Sequence, residues 1–135
     1  MATNADISAW IALFIGLYAL AAGVGELRNA NTWWAMLKEL ERSPALRFVC
    51  GLVALALGAT VYLVNPWVPG DWLSISVSVV GGIAVAEGLL LIASGERFLH
   101  FSRAMLGRAG HIWAGVAVLI GAAAILAALS RLPMA

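Results

Sequence analysis

The stretch that decides the fold runs from Gly81 to Arg108, GGIAVAEGLLLIASGERFLHFSRAMLGR. It opens as an apolar run, is interrupted by one carboxylate at Glu87, and passes after Ser94 into a charged and aromatic segment. An apolar run of this length and composition needs an apolar solvent. The rest of the chain makes the same demand. Of its 135 residues 63% are hydrophobic and 11% charged, with a mean hydropathy of +0.96. Soluble domains carry about 45–50% apolar and about 25% charged residues. A domain this small buries too little of its surface to hide the excess from water.

Four apolar runs stand out, Ile7–Gly25, Phe48–Val64, Leu73–Ala93 and Ile112–Leu129. Each matches the roughly 20 residues that cross a hydrocarbon core as a helix at about 1.5 Å per residue. Backbone groups find no water in lipid, which forces the helical state. The alternation in SISVSVV, residues 74–80, runs straight into the third apolar segment and reads as the start of that helix. The expected fold is an all-α membrane protein of four transmembrane helices in a single domain. The N-terminal ten residues hold no Lys or Arg and include Asp6. A secretory leader begins with a basic region, so the first run is expected to be an uncleaved span.

Basic residues set the expected orientation. Arg28, Lys38, Arg42 and Arg47 flank the first connection and Arg97, Arg103 and Arg108 lie in the third, leaving Arg131 alone on the other side. The positive-inside rule then places both longer connections in the cytoplasm and both termini outside. Trp10, Trp67 and Trp72 fit an outer aromatic belt, and Trp33, Trp34 and Trp113 an inner one. Within NTWWAMLKELERSP, residues 31–44, Trp33, Met36, Leu37 and Leu40 recur at helical spacing, Asn31 or Thr32 is placed to cap and Pro44 to stop. This predicts a short helix lying in the interface. RFLHFSRAMLGR, residues 97–108, reads the same way, with Phe98, Phe101 and Met105 on one side and Gly107 at its end.

The two halves match. Displaced by 65 positions, Gly16 meets Gly81, Ala19 meets Ala84, Gly23 meets Gly88 and Trp33 meets Phe98; after one deletion Gly51 meets Gly115. Each half reads span, interfacial helix, span. The expected repeats are about 7–64 and 73–131, two parallel helical hairpins.

The second half, AVAEGLLLI followed by ERFLHFSRAM and HIWAGVAVLIGAAAIL, resembles the small YjeT-like inner-membrane proteins of proteobacteria. These are two-helix hairpins with an apolar Glu–Gly–Leu stretch in the first helix, an aromatic and basic link, and a glycine in the second helix. Glu87, Gly88 and Leu89 match that stretch, Phe98 or Phe101 stands near the link aromatic, and Gly115 near the glycine. The resemblance covers roughly residues 80–129. The first half departs from it, with Ala22 where the glutamate would precede Gly23. It implies architecture and a bacterial inner-membrane location, and no chemistry.

Few polar groups offer chemistry. A carboxylate at the depth of Glu87 costs about 2.5–3.5 kcal/mol on insertion scales. The sequence therefore expects it to point into the bundle and find a donor such as Tyr18, Thr60 or Ser94. Its two readings are a neutral packing residue that fixes helix register and a proton or cation site, the second shared with Glu26 if the first and third spans touch. Small residues form stripes: Ser74, Ser78, Gly82 and Ala86, then Ala19 and Gly23, then Ala117 and Gly121. With Gly16 and Gly115 they are the expected helix-packing positions. Trp33, Trp34, Lys38, Arg42, Arg97, Arg103 and Arg108 are expected at the lipid interface. His100 and His111 sit at the headgroup level rather than facing each other across a bundle, so no metal or cofactor is expected. One cysteine, Cys50, excludes an internal disulfide. A net charge of +1 draws no nucleic acid. No nucleophile stands with a base, so the chain is not expected to be an enzyme. The preferred reading is a non-catalytic accessory or scaffold subunit, as a homo-oligomer or in a larger complex. The alternative is a small oligomeric transporter or channel with Glu87 as its ion site.

Overall fold

Every apolar run folds as a helix longer than the run itself. In the computed structural model, which describes residues 4–107 and 109–132, the order is α1 (Asn4–Arg28), α2 (Thr32–Arg42), α3 (Pro44–Val64), α4 (Trp72–Leu106) and α5 (Gly110–Arg131). The described residues contain no strand. α1, α3, α4 and α5 are each long and apolar enough to cross a membrane. Their outer faces carry large uncovered side chains, among them Phe14, Tyr18, Leu57, Leu63, Leu119 and Leu126. This is the architecture of a small multi-pass membrane protein.

The breaks have local causes. Asn31 adopts a left-handed conformation ahead of α2. Ser43 is extended, and its hydroxyl accepts the Leu46 N–H at 3.1 Å while Pro44 opens α3. Asp71 caps α4 through the Leu73 N–H at 3.2 Å. The expected separate helix in the second connection is instead the last part of α4, continuous with the span except at Ser94, whose φ of −142° and ψ of 48° are non-helical. Gly107 ends it at φ +48°, in the left-handed region that favours glycine. Of this segment Leu99 and Leu106 are buried, whereas Phe101 and Met105 remain exposed.

The spans pair by packing, not by sequence order. α1 lies antiparallel along α5, and α3 antiparallel along α4. The contact rows are small residues spaced by seven. On α1 they are Ala9, Gly16 and Gly23, facing Ala128, Gly121 and Ala114 of α5. On α3 they are Gly51 and Gly58, facing Gly88 and Gly81 of α4. A period of seven keeps one row against its partner as two helices coil together. At these points backbone meets backbone. A Cβ added at Gly121 would stand 2.7 Å from Gly16 O, one at Gly58 2.7 Å from Gly81 O, and one at Gly88 2.5 Å from Gly51 O. Lipid tails are as apolar as leucine, so burial of apolar area gives little drive for helices to associate in a membrane. Close packing has to supply it.

The two pairs join at their ends. At the end carrying the chain termini, here the terminal end, Ala9, Ala12, Leu73, Val77, Ala128 and Leu132 form one buried cluster. At the opposite or link end, α2 packs beneath α4 and α3.

Overpacking of a tight contact costs about 1–3 kcal/mol. Gly88→Ala is therefore expected to lower the thermal unfolding midpoint of the detergent-solubilised protein, followed by circular dichroism. Gly82→Ala, whose new Cβ would meet nothing within 4 Å, is expected to leave the midpoint unchanged or raise it. Equal midpoints for the two variants would contradict the glycine contact as the source of pairing.

Candidate functional site

The polar side chains gather at the two ends of the bundle. At the terminal end Asn65, 4% exposed, follows the last turn of α3. Its Oδ1 accepts the Ser8 hydroxyl at 2.7 Å, and its Nδ2 donates to Ser74 O at 2.9 Å and to Ser78 Oγ at 2.7 Å. One amide thus ties α1, α3 and α4 together. Ser74 Oγ also accepts the Val68 N–H at 3.1 Å and donates to Pro66 O, which pins the connection between α3 and α4. Beside it the Arg131 guanidinium donates to Asp71 Oδ1 at 2.6 Å and lies over the Trp72 ring at 5.2 Å. That hydrogen bond, with the Leu73 N–H and the charge of Arg131, holds the Asp71 carboxyl below the ordinary aspartate value.

At the link end Glu26 is 3% exposed. Its Oε1 accepts the Trp33 N–H at 3.1 Å, in the first turn of α2. Its Oε2 lies against Gly110, the first residue of α5, 2.7 Å from where a Cβ would stand. One carboxylate therefore occupies the positive ends of two helices, where helix dipoles favour negative charge. It does the capping expected of Asn31 or Thr32; Asn31 makes no side-chain cap. Arg47 reaches over Gly95 and donates to Leu40 O at 3.3 Å and Glu41 O at 2.6 Å, satisfying carbonyls at the end of α2. Arg103 pairs with Glu41 at 2.8 Å and lies over the Trp34 ring at 5.4 Å, with Lys38 at 5.9 Å from the same ring. Trp34 and Arg103 thus dock α2 on α4. Trp33 is half-buried, and Arg42 and Arg97 are exposed. Arg108 lies outside the described residues.

Glu87 finds no donor in the bundle among the described residues. It is exposed on α4, and none of the expected donors reaches it: Tyr18 is 75% exposed and Thr60 donates to Ala56 O at 2.7 Å. The reason is rotation. Gly88 takes the buried place against Gly51, and one residue is about 100° on a helix of 3.6 residues per turn. Its helix neighbours Ala84 and Leu91 border the contact with α3, lying against Gly58 and Gly51. Glu26 is committed to the helix ends, so the two carboxylates are not a pair in the described contacts.

The expected packing residues divide. Gly16, Gly23 and Gly121 sit in the close contacts, whereas a Cβ at Gly82 or Gly115 would meet nothing within 4 Å. Ser74 and Ser78 are buried as hydrogen-bond partners of Asn65. Asn65 itself escaped the sequence reading. Its one signal was an Asn–Pro step just past an apolar run, which reads equally well as an ordinary turn. No three His, Cys, Asp or Glu residues among those described lie where they could share a metal ion. No family model, curated protein or solved structure matches the chain.

Two predictions follow from this geometry. Loss of a helix cap costs about 1 kcal/mol, so Glu26→Ala is expected to lower the unfolding midpoint and Glu26→Gln, which keeps an acceptor for Trp33, to recover most of it. A glutamine no better than alanine would show that charge, not capping, matters there. For Asp71, a carboxyl held below its ordinary value stabilises the fold above that value and loses the contribution as pH falls through the lower, folded one. Unfolding midpoints measured from pH 5 downward are expected to drop in the native chain, with the Asp71→Asn variant missing this part of the drop.

Proposed function

We propose that the chain is a non-catalytic accessory or scaffold protein of a bacterial inner membrane, acting by packing its spans against helices of a partner complex or of its own oligomer. One observation carries this reading. The fold consumes Gly16, Gly23, Gly51, Gly58, Gly81, Gly88 and Gly121 in its own contacts but leaves Gly82 and Gly115 facing open space. Small residues that let backbones approach are the interface chemistry of membrane helices. Gly82 and the exposed Ala86 lie four residues apart on one side of α4. The basic connections belong in the cytoplasm by the positive-inside rule, with both termini periplasmic and Trp33, Lys38, Arg42 and Arg97 at the headgroup level.

The duplication belongs to the same reading. In the first spans the contact glycines Gly16 and Gly23 correspond to Gly81 and Gly88; in the second spans the contacts Gly121 and Ala114 sit one residue off the Gly51–Gly115 match, opposite the places of Gly58 and Gly51. This supports two copies of a span–link–span unit, each lending its first span to the other's second. The resemblance of residues 80–129 to the YjeT-like hairpins fits such an origin.

A second reading, a small oligomeric transporter or channel, rests on Glu87, an exposed carboxylate on a span. Such groups mark ion pathways in many membrane proteins.

Gly82→Leu and Gly115→Leu are expected to abolish co-purification of partners or of a second copy from mild detergent while leaving helicity and the unfolding midpoint intact. Gly23→Leu is expected to unfold the α1–α5 pair instead. Unchanged complexes in the first two variants would sink the accessory reading. A pH-dependent ion flux in liposomes that vanishes in Glu87→Gln would replace it with the second.

A further inference from the structure

A groove runs along the outer seam between the start of α3 and the break in α4, walled by Arg47, Phe48, Leu91, Ile92, Glu96 and Arg97. Its lower wall is apolar: Phe48 and Ile92 are 53% and 37% exposed, and both lie in spans. Its upper wall is ionic and stands just past Ser94, where the apolar run ends. We propose that this groove holds one anionic phospholipid, its phosphate against Arg47 and Arg97 and an acyl chain along Phe48, Leu91 and Ile92. The inference rests on the chain spanning a membrane and is independent of the partner role proposed above.

Arg47 is the organised half of the site. Two hydrogen bonds to α2 carbonyls fix its guanidinium, and its stem crosses α4 at Gly95, where an added Cβ would stand 2.8 Å from Arg47 Cδ. Its side chain is 13% exposed, so little freedom is left to lose on binding. A fixed guanidinium presents planar donors suited to phosphate oxygens. Glu96 is the one acid on the groove, 3.9 Å from Arg47 and 85% exposed. Two cations, Arg47 and Arg97, against this one anion leave the groove positive. A free phosphate would leave the apolar wall uncovered, whereas a lipid fills both halves.

The test is native mass spectrometry of the full chain released from detergent, titrated with phosphatidylglycerol or phosphatidylcholine. One phosphatidylglycerol is expected to be retained in preference to phosphatidylcholine. Arg97→Gln is expected to weaken retention about fivefold, and Phe48→Ala to weaken it as well. Glu96→Gln is expected to strengthen it. Arg28→Gln, which removes an exposed charge from the end of α1 outside the groove, is expected to leave it unchanged. Circular dichroism of each variant checks the fold, and Phe48→Ala serves if Arg97→Gln does not fold. The proposal is overturned if no lipid is retained, if the two lipids are retained alike, if Arg28→Gln weakens retention as much as Arg97→Gln, or if inorganic phosphate competes as well as the lipid. The outcome for Gly82→Leu bears on the partner role alone and leaves this result standing.

Discussion

The structure depends on backbone reaching backbone at glycine. Along both helix pairs a row of small residues every seven positions removes the side chains that would hold the axes apart, until a carbonyl of one helix lies where a Cβ of the other would be. In water such a contact would add little to a large apolar core. In lipid it is most of what distinguishes a paired helix from a lone one, because dispersion grows only with close approach. This explains why so much of the chain stays uncovered. Two helices touching along one narrow row bury little else, and Leu63, Leu119 and Phe14 are left to face acyl chains.

Two pairs held this way would still slide past each other. The polar groups are placed where they prevent it. Asn65 joins α1, α3 and α4 at one end, and Glu26 joins the starts of α2 and α5 at the other. Both lie at helix ends, where backbone donors or acceptors lack intrahelical partners. An amide or carboxylate is satisfied there without opening a helix in mid-membrane. Arg47 does the same for the end of α2, and the Asp71–Arg131 pair ties α4 to the end of α5.

The spans and their approximate limits were legible because length and hydropathy act one residue at a time. The partner of each span was not. Two hairpins suggest that α1 packs on α3 and α4 on α5, yet the pairing is α1 with α5 and α3 with α4. Nothing local distinguishes these, since every span carries a small-residue row. The rows that pair the spans within the chain recur every seven residues, not every four. Ser74, Ser78, Gly82 and Ala86 recur every four residues, which on a helix drifts steadily around the axis; the first two end buried and the last is exposed. Gly81, Gly88 and Gly95 recur every seven and stay in register with α3. A different cause settles Glu87. Once Gly88 is fixed by its contact with Gly51, the residue before it must turn away, and the sequence alone did not say which of the two adjacent residues would win the interface.

That leaves Glu87 as the polar group whose surroundings the fold does least to settle. Glu26, close to the end of α1, is surrounded by two helix starts. Glu87 lies well inside its span, several turns past Asp71 and two turns before Ser94, on a side of α4 shared with residues as apolar as Val80 and Leu91. Exposure of an acid to hydrocarbon at a cost of about 2.5–3.5 kcal/mol is comparable with a large part of the stability of a whole domain. A neighbour that hydrogen-bonds the acid or shares its proton would recover most of that cost, and Gly82 and Ala86 leave room for a helix to come close on the adjoining side.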